Sequence, residues 1–132
     1  MSSYHAFANR NVMVIAIIED QGGVDHVEEI AATPGIDVIF IGPSDLSWQL
    51  AGGDGDHPKV KAAMEKIIAA AKRRKKILGR PAGSPQEVKR YMEQGFLFFQ
   101  GPSELGLMRA GAGDLLDPFG KKGIDPRTKP LY

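Results

Sequence analysis

Two nearly continuous runs of aliphatic and aromatic residues, many of them β-branched, restrict the fold of this chain more than any other feature. They occupy residues 12–18 and 36–41, and neither shows regular polar alternation. A strand with one face in water alternates apolar and polar side chains, whereas a strand covered on both faces does not. These runs therefore predict strands of a parallel sheet that is covered on both faces.

Each predicted strand is followed by a helical pattern. The predicted strands cover residues 12–18, 36–41, 76–79 and 96–100. The predicted helices cover residues 26–32, 57–74, 84–94 and 103–112. A strand and a helix that alternate in this way imply right-handed crossovers between parallel strands. The chain is therefore predicted to be an α/β protein with four consecutive βα units.

Two of these helices carry recognisable start signals. Pro58 suits the first turn of the helix at residues 57–74, whose apolar residues recur at spacings of three and four. Ser84, with Glu87 three positions later, forms a capping box at the start of the next helix. These two helices should therefore form where the pattern places them.

The periodic pattern stops after Gly113. Residues 114–132 contain several prolines and glycines and show no sustained period. We predict a folded domain at residues 1–113 and an extended C-terminal tail at residues 114–132. The tail is either disordered or an arm that packs on a neighbouring subunit, with three apolar residues as its anchors: Phe119, Leu131 and Tyr132.

Composition limits the partners and the compartment. The chain has 132 residues, and its 17 basic and 16 acidic residues give a net charge of +1. So small a charge gives no reason to expect nucleic acid or an anionic membrane as a partner. The apolar run at residues 12–18 is far shorter than the ~20 residues that span a bilayer. The absence of cysteine fits a reducing compartment, and we predict a cytoplasmic protein without nucleic-acid or membrane partners.

Two acidic residues stand where the first two predicted strands end, Glu19 after the first and Asp45 shortly after the second. Neighbouring parallel strands lie about 4.8 Å apart and end at the same edge of a sheet, so the two carboxylates can share one cation. A ligand set of oxygens, without cysteine or adjacent histidine, favours magnesium or manganese. Such an ion keeps several coordinated waters. The alternative is that each acid caps a helix or is a solvated charge.

The segment Gly42-Pro43-Ser44-Asp45 is predicted to be a turn that can bind an anion. Glycine permits close approach of the backbone, and the amides of Ser44 and Asp45 could face an anion while the Asp45 side chain holds the metal. A 2-oxo acid offers a carboxylate and an adjacent carbonyl oxygen, which would satisfy amides and metal together. The four residues are therefore candidates for substrate binding. The alternative is a plain Gly-Pro turn.

Residues 4–112 resemble the C-terminal half of the HpcH/HpaI family of pyruvate-dependent class II aldolases. The strongest match is the run Gly-Ile-Asp-Val-Ile-Phe-Ile-Gly-Pro-Ser-Asp-Leu-Ser at residues 35–47, which His57-Pro58 follows. Ile18-Glu19 precedes it, and Asp45 follows Glu19 by 26 positions, a spacing that fits the family.

The resemblance implies a fold and a chemistry. It implies that the four βα units form half of a (β/α)8 TIM-type barrel in which Glu19 and Asp45 bind a divalent metal. Pyruvate or another 2-oxo acid would chelate that metal, with its carboxylate held by the amides of Ser44 and Asp45. The metal would then stabilise the enolate that adds to an aldehyde or leaves in retro-aldol cleavage.

The chain also departs from the family pattern. A complete barrel of this type has about 250 residues and eight strands. The catalytic arginine and the histidine base of the family lie in the N-terminal half, and no position here matches them. No catalytic residue is therefore assigned, to His5 or to any other position, and His26 and His57 are interpreted as solvated or capping residues. Arg80, at a predicted strand end, either contacts the site or is a surface or interface residue.

The function that follows is a divalent-metal-dependent, aldolase-type carbon–carbon lyase that acts on pyruvate or another 2-oxo acid, and we expect it to be incomplete in this chain on its own. The alternative is a non-catalytic module that binds metal and 2-oxo acid. An acyl-CoA lyase of the citrate lyase β-subunit type shares the two acids, but it fits the Gly-Pro-Ser-Asp segment less well. Half a barrel would leave two open sheet edges and an uncovered apolar face. We therefore also predict a homo-oligomer, in which two halves complete a barrel-like assembly.

Overall fold

The computed structural model describes residues 2–117 of the chain. Its elements within this range are α1 (Ser2–Asn11), β1 (Ile15–Ile18), α2 (Gln21–Asp25), α3 (Val27–Ala32), β2 (Val38–Ile41), α4 (Pro43–Ala51), α5 (Pro58–Arg73), β3 (Ile77–Pro81), α6 (Pro85–Glu93), β4 (Phe96–Gln100) and α7 (Glu104–Leu116). None of the helices in this range is long and apolar enough to cross a membrane. The predicted tail anchors Phe119, Leu131 and Tyr132 lie outside the described residues.

The four strands form one sheet in the order β1-β2-β3-β4. All three pairs of neighbouring strands are parallel. Ile18 at the end of β1 pairs with Ile41 at the end of β2, so these two strands end at the same height. A helix follows every strand along the chain. The structure thus confirms the predicted α/β fold of four consecutive parallel βα units.

The first two strands begin a few residues later than the sequence predicted, at Ile15 and at Val38. Asp37 closes this end of the strand pair, because its side chain accepts a hydrogen bond from the Val14 amide at 2.8 Å. The Asp37 amide in turn donates to the Val14 carbonyl at 2.9 Å. The aliphatic residues before Ile15 therefore lie outside the sheet, although their composition is that of a strand.

The hydrophobic core lies between one face of the sheet and the helices packed on it. Alternate strand residues face the core, as side chains in a strand point to opposite sides in turn. Helix α5 supplies the largest share of the helical side, with apolar residues at the predicted spacing. The buried residues of this core are Ile18, Val24, Val27, Ala31, Ile39, Ile41, Leu46, Ala63, Ile67, Ala70, Ala71, Leu78 and Phe96.

The other face of the sheet carries the side chains of Ile15, Ile17, Phe40, Phe98 and Gln100, and we call it the open face. Ile15 is 38% exposed and Ile17 is 55% exposed. Together with Phe99, these residues line an apolar cavity of about 280 Å³. In this chain β1 is therefore covered on one face only. This contradicts the covering of both faces predicted from the apolar run, and it agrees with the uncovered apolar face predicted for half a barrel.

Gly79 in β3 makes room for two aromatic rings on the open face. A Cβ atom at this position would lie 2.7 Å from Cδ2 of Phe40 and 3.1 Å from Cδ1 of Phe98. The two rings meet edge to face, with their centroids 6.1 Å apart. A side chain at this position would therefore push the Phe40 and Phe98 rings out of their contact.

Three helices were not predicted from the sequence: α1, α2 and α4. The predicted helix at residues 26–32 is observed as α3, and α2 precedes it as a separate short helix whose N-cap is Asp20. The Gly-Pro segment predicted as a turn is instead the start of α4, a nine-residue helix. Leu46, in the first part of this helix, is fully buried in the core, which favours the helix over an open turn.

The chain divides into two compact units, Met1–Gly101 and Pro102–Tyr132. In the second unit the structure describes α7, whose N-cap Ser103 accepts a hydrogen bond from the Gly106 amide at 3.2 Å. This helix extends to Leu116, so residues 114–116 are helical where the sequence predicted the start of the extended tail. Asp114, Leu115 and Leu116 are all residues that an α-helix accepts, and the first proline of the tail comes only after them.

Candidate functional site

The two predicted metal ligands lie at the carboxyl edge of the sheet, where β1 and β2 end. Glu19 directly follows Ile18, the last residue of β1, and Gly42 directly follows Ile41, the last residue of β2. Because Ile18 and Ile41 are register partners, Glu19 and Gly42 are neighbours across the pair. Asp45 stands in the first turn of α4, which begins immediately after Gly42.

Gly42 fits closely against Glu19. A Cβ atom at Gly42 would lie 2.9 Å from Cβ of Glu19 and 3.1 Å from its carboxylate oxygen Oε2. The same position would lie 3.6 Å from Cγ2 of Ile17, which belongs to the open face. The Glu19 side chain therefore lies along the backbone at the start of α4, on the side of the sheet where Ile17 also lies.

The start of α4 presents free backbone amides. Gly42 is the N-cap and Pro43 is the first helical residue, which has no amide proton to leave unsatisfied. The first intrahelical bond runs from the Leu46 amide to the Gly42 carbonyl at 3.0 Å. The amides of Ser44 and Asp45 precede it, and no side chain caps them among the described residues. They are therefore donors at the positive end of a helix.

A second hydrogen bond holds this first turn in shape. Ser47, which is buried, donates its hydroxyl proton to the Ser44 carbonyl at 2.7 Å. The turn predicted for these residues is thus a helical start, and the amides of Ser44 and Asp45 remain the candidate donors. This correction changes the local structure but leaves Gly42, Pro43, Ser44 and Asp45 together at one place.

The carboxylates of Glu19 and Asp45 are exposed and form no hydrogen bond or ion pair with the part of the chain that the structure describes. No group of three or more His, Cys, Asp or Glu side chains suited to a metal ion occurs in residues 2–117. The donor set is therefore two free carboxylates, and further ligands would be water or a small molecule. A set of this kind fits a hard divalent cation that keeps most of its waters.

Asp20, the neighbour of Glu19, has a different role. Its carboxylate accepts a hydrogen bond from the Gly23 amide at 2.6 Å and caps α2. A Cβ atom at Gly23 would come within 3.3 Å of this carboxylate, so the cap is tightly packed. Of the two consecutive acids, one is used by the local structure and Glu19 remains available.

Arg80 lies on the helix side of the sheet. Its guanidinium carbon is 3.5 Å from the centroid of the Tyr91 ring in α6 and 5.5 Å from that of Phe96. Burial lowers the pKa of Arg80, and the nearby charge of Arg90 lowers it further. The Nε atom is buried and has no hydrogen-bond partner among the described residues. The structure therefore shows a packing role between β3 and α6.

The three histidines have local contacts. His57 is the N-cap of α5, and its Nδ1 atom accepts a hydrogen bond from the Lys59 amide at 3.2 Å, which confirms the predicted capping role. His26 lies 3.4 Å from a carboxylate oxygen of Glu29 on the surface. The His5 ring packs edge to face on Tyr4, with centroids 5.9 Å apart.

Sequence reasoning missed two features of the site. The first is the close fit of Gly42 and Glu19, for which the only signal is a glycine directly after a buried strand. The second is the apolar cavity beside the site, to which Ile17 contributes. Its signal is the absence of polar alternation in β1, which was interpreted as burial.

Comparison with known proteins gives one family. The model of the HpcH/HpaI aldolase/citrate lyase family matches residues 3–110. A 5-keto-4-deoxy-D-glucarate aldolase of Klebsiella pneumoniae subsp. pneumoniae is 42% identical over 119 residues, which are 89% of this chain and 46% of that protein. The protein of the same name from Salmonella arizonae is 43% identical over the same shares.

Solved structures agree with the sequence matches. An HpcH/HpaI aldolase/citrate lyase family protein from Burkholderia cenocepacia has a TM-score of 0.78 at 38% identity, over 89% of this chain and 46% of that one. Macrophomate synthase has a TM-score of 0.75 at 32% identity, over 86% of this chain and 40% of that one. The chain thus spans about half the length of the relatives that it matches. It belongs to the HpcH/HpaI aldolase/citrate lyase family.

Proposed function

We propose that this chain binds a divalent metal ion, magnesium or manganese, through Glu19 and Asp45, and that a 2-oxo acid such as pyruvate binds beside it as part of an aldolase-type carbon–carbon lyase. The observation that carries the proposal is the fit of the Glu19 side chain against Gly42 at the start of α4. This fit brings the Glu19 carboxylate next to the first turn of α4, which carries Asp45.

The donors match the two ends of a 2-oxo acid. The amides of Ser44 and Asp45 have no acceptor within residues 2–117 and lie at the helix N-terminus, where a carboxylate is stabilised by both hydrogen bonds and the helix dipole. A cation held by Glu19 and Asp45 would supply electrophilic stabilisation for the negative charge that develops on the substrate oxygen. The residues of the chain hold the substrate's carboxylate and orient its carbonyl oxygen.

The relatives support the substrate class. The curated relatives are named as aldolases of 5-keto-4-deoxy-D-glucarate, which is a keto acid. The chain covers 46% of their length, so the activity of the whole protein is a proposal here. No residue of the described range is placed as the proton donor or acceptor. The alternative is therefore a module that binds metal and 2-oxo acid without turning it over.

Metal binding is tested by titrating the chain with Mn²⁺ and following the free ion by electron paramagnetic resonance. Glu19→Gln and Asp45→Asn should each weaken binding by about tenfold or more, since even partners outside the ligand set cost 10- to 100-fold when lost. Asp20→Asn is the matched control, because it removes a neighbouring charge and keeps an N-cap. Binding as tight as that of the unaltered chain in both ligand variants would refute the proposal.

Turnover is tested separately, with pyruvate in deuterated water and Mn²⁺ present. Loss of the methyl proton signal over time indicates that an enolate forms and that a base acts on the substrate. Broadening of the pyruvate methyl signal by protein-bound Mn²⁺, without loss of that signal to deuterium exchange, indicates the non-catalytic module. Failure to see any effect of pyruvate on the bound Mn²⁺ would contradict the 2-oxo acid part of the proposal.

A further inference from the structure

Gln100, the last residue of β4, is the polar member of the cavity on the open face. Among the described residues that line this cavity of about 280 Å³, the others are aliphatic or aromatic. The Gln100 side chain is exposed and forms no hydrogen bond with the rest of residues 2–117. Ligand sites are mostly apolar and carry a few polar groups that orient the ligand. Gln100 is therefore a candidate for such a group.

The strand register places Gln100 in one row with Glu19 at the carboxyl edge of the sheet. Glu19 and Gly42 are neighbours, because the residues before them are register partners. The register of β2 and β3, continued to the end of β3, brings Gly42 level with Pro81. Pro81 pairs directly with Gln100. The residue two positions before each of these four lies on the open face, so the whole row belongs to that face.

Glu19 and Gln100 stand at the two ends of this row and carry its two polar side chains. β1 and β4 are the outer strands, and three strand spacings separate them by roughly 14 Å along the sheet. One cavity is nevertheless lined by residues of both strands, Ile17 on β1 and Gln100 on β4. The sheet is therefore concave on this side, and the straight path across the cavity is shorter than the path along the sheet.

We propose that Gln100 is a positioning residue for the far end of a ligand whose 2-oxo acid end is held by Glu19, Asp45 and the start of α4. This inference rests on the proposed function and names the class of its substrate, a longer 2-oxo acid with hydroxyl groups beyond C4. Pyruvate held at β1 and β2 has no further carbon to reach β4, so a contact with Gln100 requires a longer chain.

The chemistry of the carboxamide and of the cavity favours a hydroxyl group at the far end. A carboxamide both donates and accepts hydrogen bonds, and so does a hydroxyl group, so each can satisfy the other. A carboxylate would use only the donor side of Gln100. No charged residue within residues 2–117 lines the cavity to pair with a second carboxylate there. A neutral hydroxylated end is therefore the better match.

The contact is tested by calorimetric titration of the full 132-residue chain with saturating Mn²⁺. The ligands are 2-oxohexanoate and 5,6-dihydroxy-2-oxohexanoate, which have the same chain length and no hydroxyl on C4, so a retro-aldol step does not cleave them. The unaltered chain should prefer the dihydroxy acid by about two- to tenfold, the range for one net hydrogen bond. 2-Oxoadipate, which ends in a carboxylate, should bind no more tightly than 2-oxohexanoate.

Gln100→Leu keeps the size of the side chain and removes its hydrogen-bonding groups, so it should abolish the preference for the dihydroxy acid. Gln94→Leu is the matched control, because Gln94 is also exposed but lies at the C-cap of α6, before β4 begins. It should keep the preference. Gln100→Leu should also leave the binding of Mn²⁺ and of pyruvate unchanged, since neither reaches β4.

The outcomes separate this inference from the proposed function. An unchanged preference in Gln100→Leu, or an equal loss of affinity for pyruvate and both longer acids, would overturn the role of Gln100. Tighter binding of 2-oxoadipate than of the dihydroxy acid would overturn the substrate class. An unaltered chain that binds pyruvate but shows no preference for the dihydroxy acid would overturn the inference and leave the proposed function standing. Absence of pyruvate binding would overturn both.

Discussion

Gly42 is required by the space around it and not by its backbone angles. Its φ of −93° is open to any residue. The restriction is the Glu19 side chain, whose Cβ atom would lie 2.9 Å from a Cβ atom at Gly42. The glycine therefore fixes where the Glu19 carboxylate lies, and with it the geometry of the proposed metal site.

Gly42→Ala should displace Glu19 and weaken Mn²⁺ binding. The added methyl group should also lower the free energy of unfolding by about 1–3 kcal/mol, as is usual for an overpacked position. The measurements are Mn²⁺ titration and urea unfolding. Gly55→Ala is the control, since a Cβ atom there meets nothing within 4 Å. Unchanged Mn²⁺ affinity in Gly42→Ala would show that Glu19 does not depend on this contact.

Arg80 is held by packing, and a residue of similar length should replace it. Arg80→Met keeps an apolar chain on the Tyr91 ring and removes the buried Nε atom that has no partner. We expect its free energy of unfolding to stay within about 1 kcal/mol of the unaltered chain. Arg80→Ala should cost about 1–2 kcal/mol, since it removes the stacking contact. Equal losses in the two variants, measured by urea unfolding, would show that the guanidinium itself is needed.

At the scale of elements, the start of α6 shows how a local signal becomes structure. Ser84 accepts a hydrogen bond from the Glu87 amide at 3.2 Å, as the predicted capping box requires. Glu87 reaches back to the Gly83 amide at 2.7 Å, one residue before the N-cap. The capping-box motif thus predicted the helix start correctly. The Glu87 carboxylate accepts from the Gly83 amide and not from the amide of the N-cap Ser84.

Ser84→Ala should lower the free energy of unfolding by about 1 kcal/mol, because the Glu87 amide loses its acceptor at the helix start. Ser84→Asn should restore most of the loss, since asparagine is an equally good N-cap. Thermal or urea unfolding of the two variants side by side checks this. An alanine variant as stable as the asparagine variant would show that water replaces the cap.

The ion pair between Glu28 in α3 and Arg73 in α5 makes a pH-dependent link between two helices. The hydrogen bond from Arg73, with its charge, lowers the pKa of Glu28 below its ordinary value of 4.5. A lowered pKa in the folded state means that the contribution is complete above the unfolded value and is lost as the pH falls through the folded one.

Glu28→Gln should therefore lower the urea midpoint at neutral pH, and this difference should shrink as the pH falls below 4.5 and vanish once Glu28 is protonated in the folded state. The effect should also weaken in added salt, because both side chains are at the surface. Urea unfolding at several pH values measures it. A difference that persists at the low end would assign the loss to packing and not to the charge.

At the scale of the whole molecule, unfolding should depend on the concentration of the chain. If the chain forms the homo-oligomer that its sequence predicts, dissociation is part of unfolding, and a tenfold higher concentration favours the folded state by about 1.4 kcal/mol. The melting temperature should rise by roughly 5 °C for each tenfold step. Scanning calorimetry over two decades of concentration checks this. A constant melting temperature would show that the chain unfolds as a monomer.

The sequence by itself determined the elements whose signals are local. The predicted strand at residues 96–100 is β4 without a change, and the predicted helix at residues 57–74 is α5 within one residue at each end. The predicted cap Ser84 stands where α6 begins. The two strand-end acids and the Gly-Pro-Ser-Asp segment were also visible, because a parallel α/β fold carries its ligands at the ends of its strands.

Only the tertiary structure decided what the same local signal becomes in space. Pro43 is compatible with the start of a turn or of a helix. The burial of Leu46 in the core favours the helix, and the segment is the start of α4. Glu19 and Asp20 are consecutive acids that the sequence alone does not distinguish. Asp20 caps α2 and Glu19 lies against Gly42, because successive side chains of an extended chain point in opposite directions. For the same reason Arg80 faces α6, and Ile17 faces the open side of the sheet.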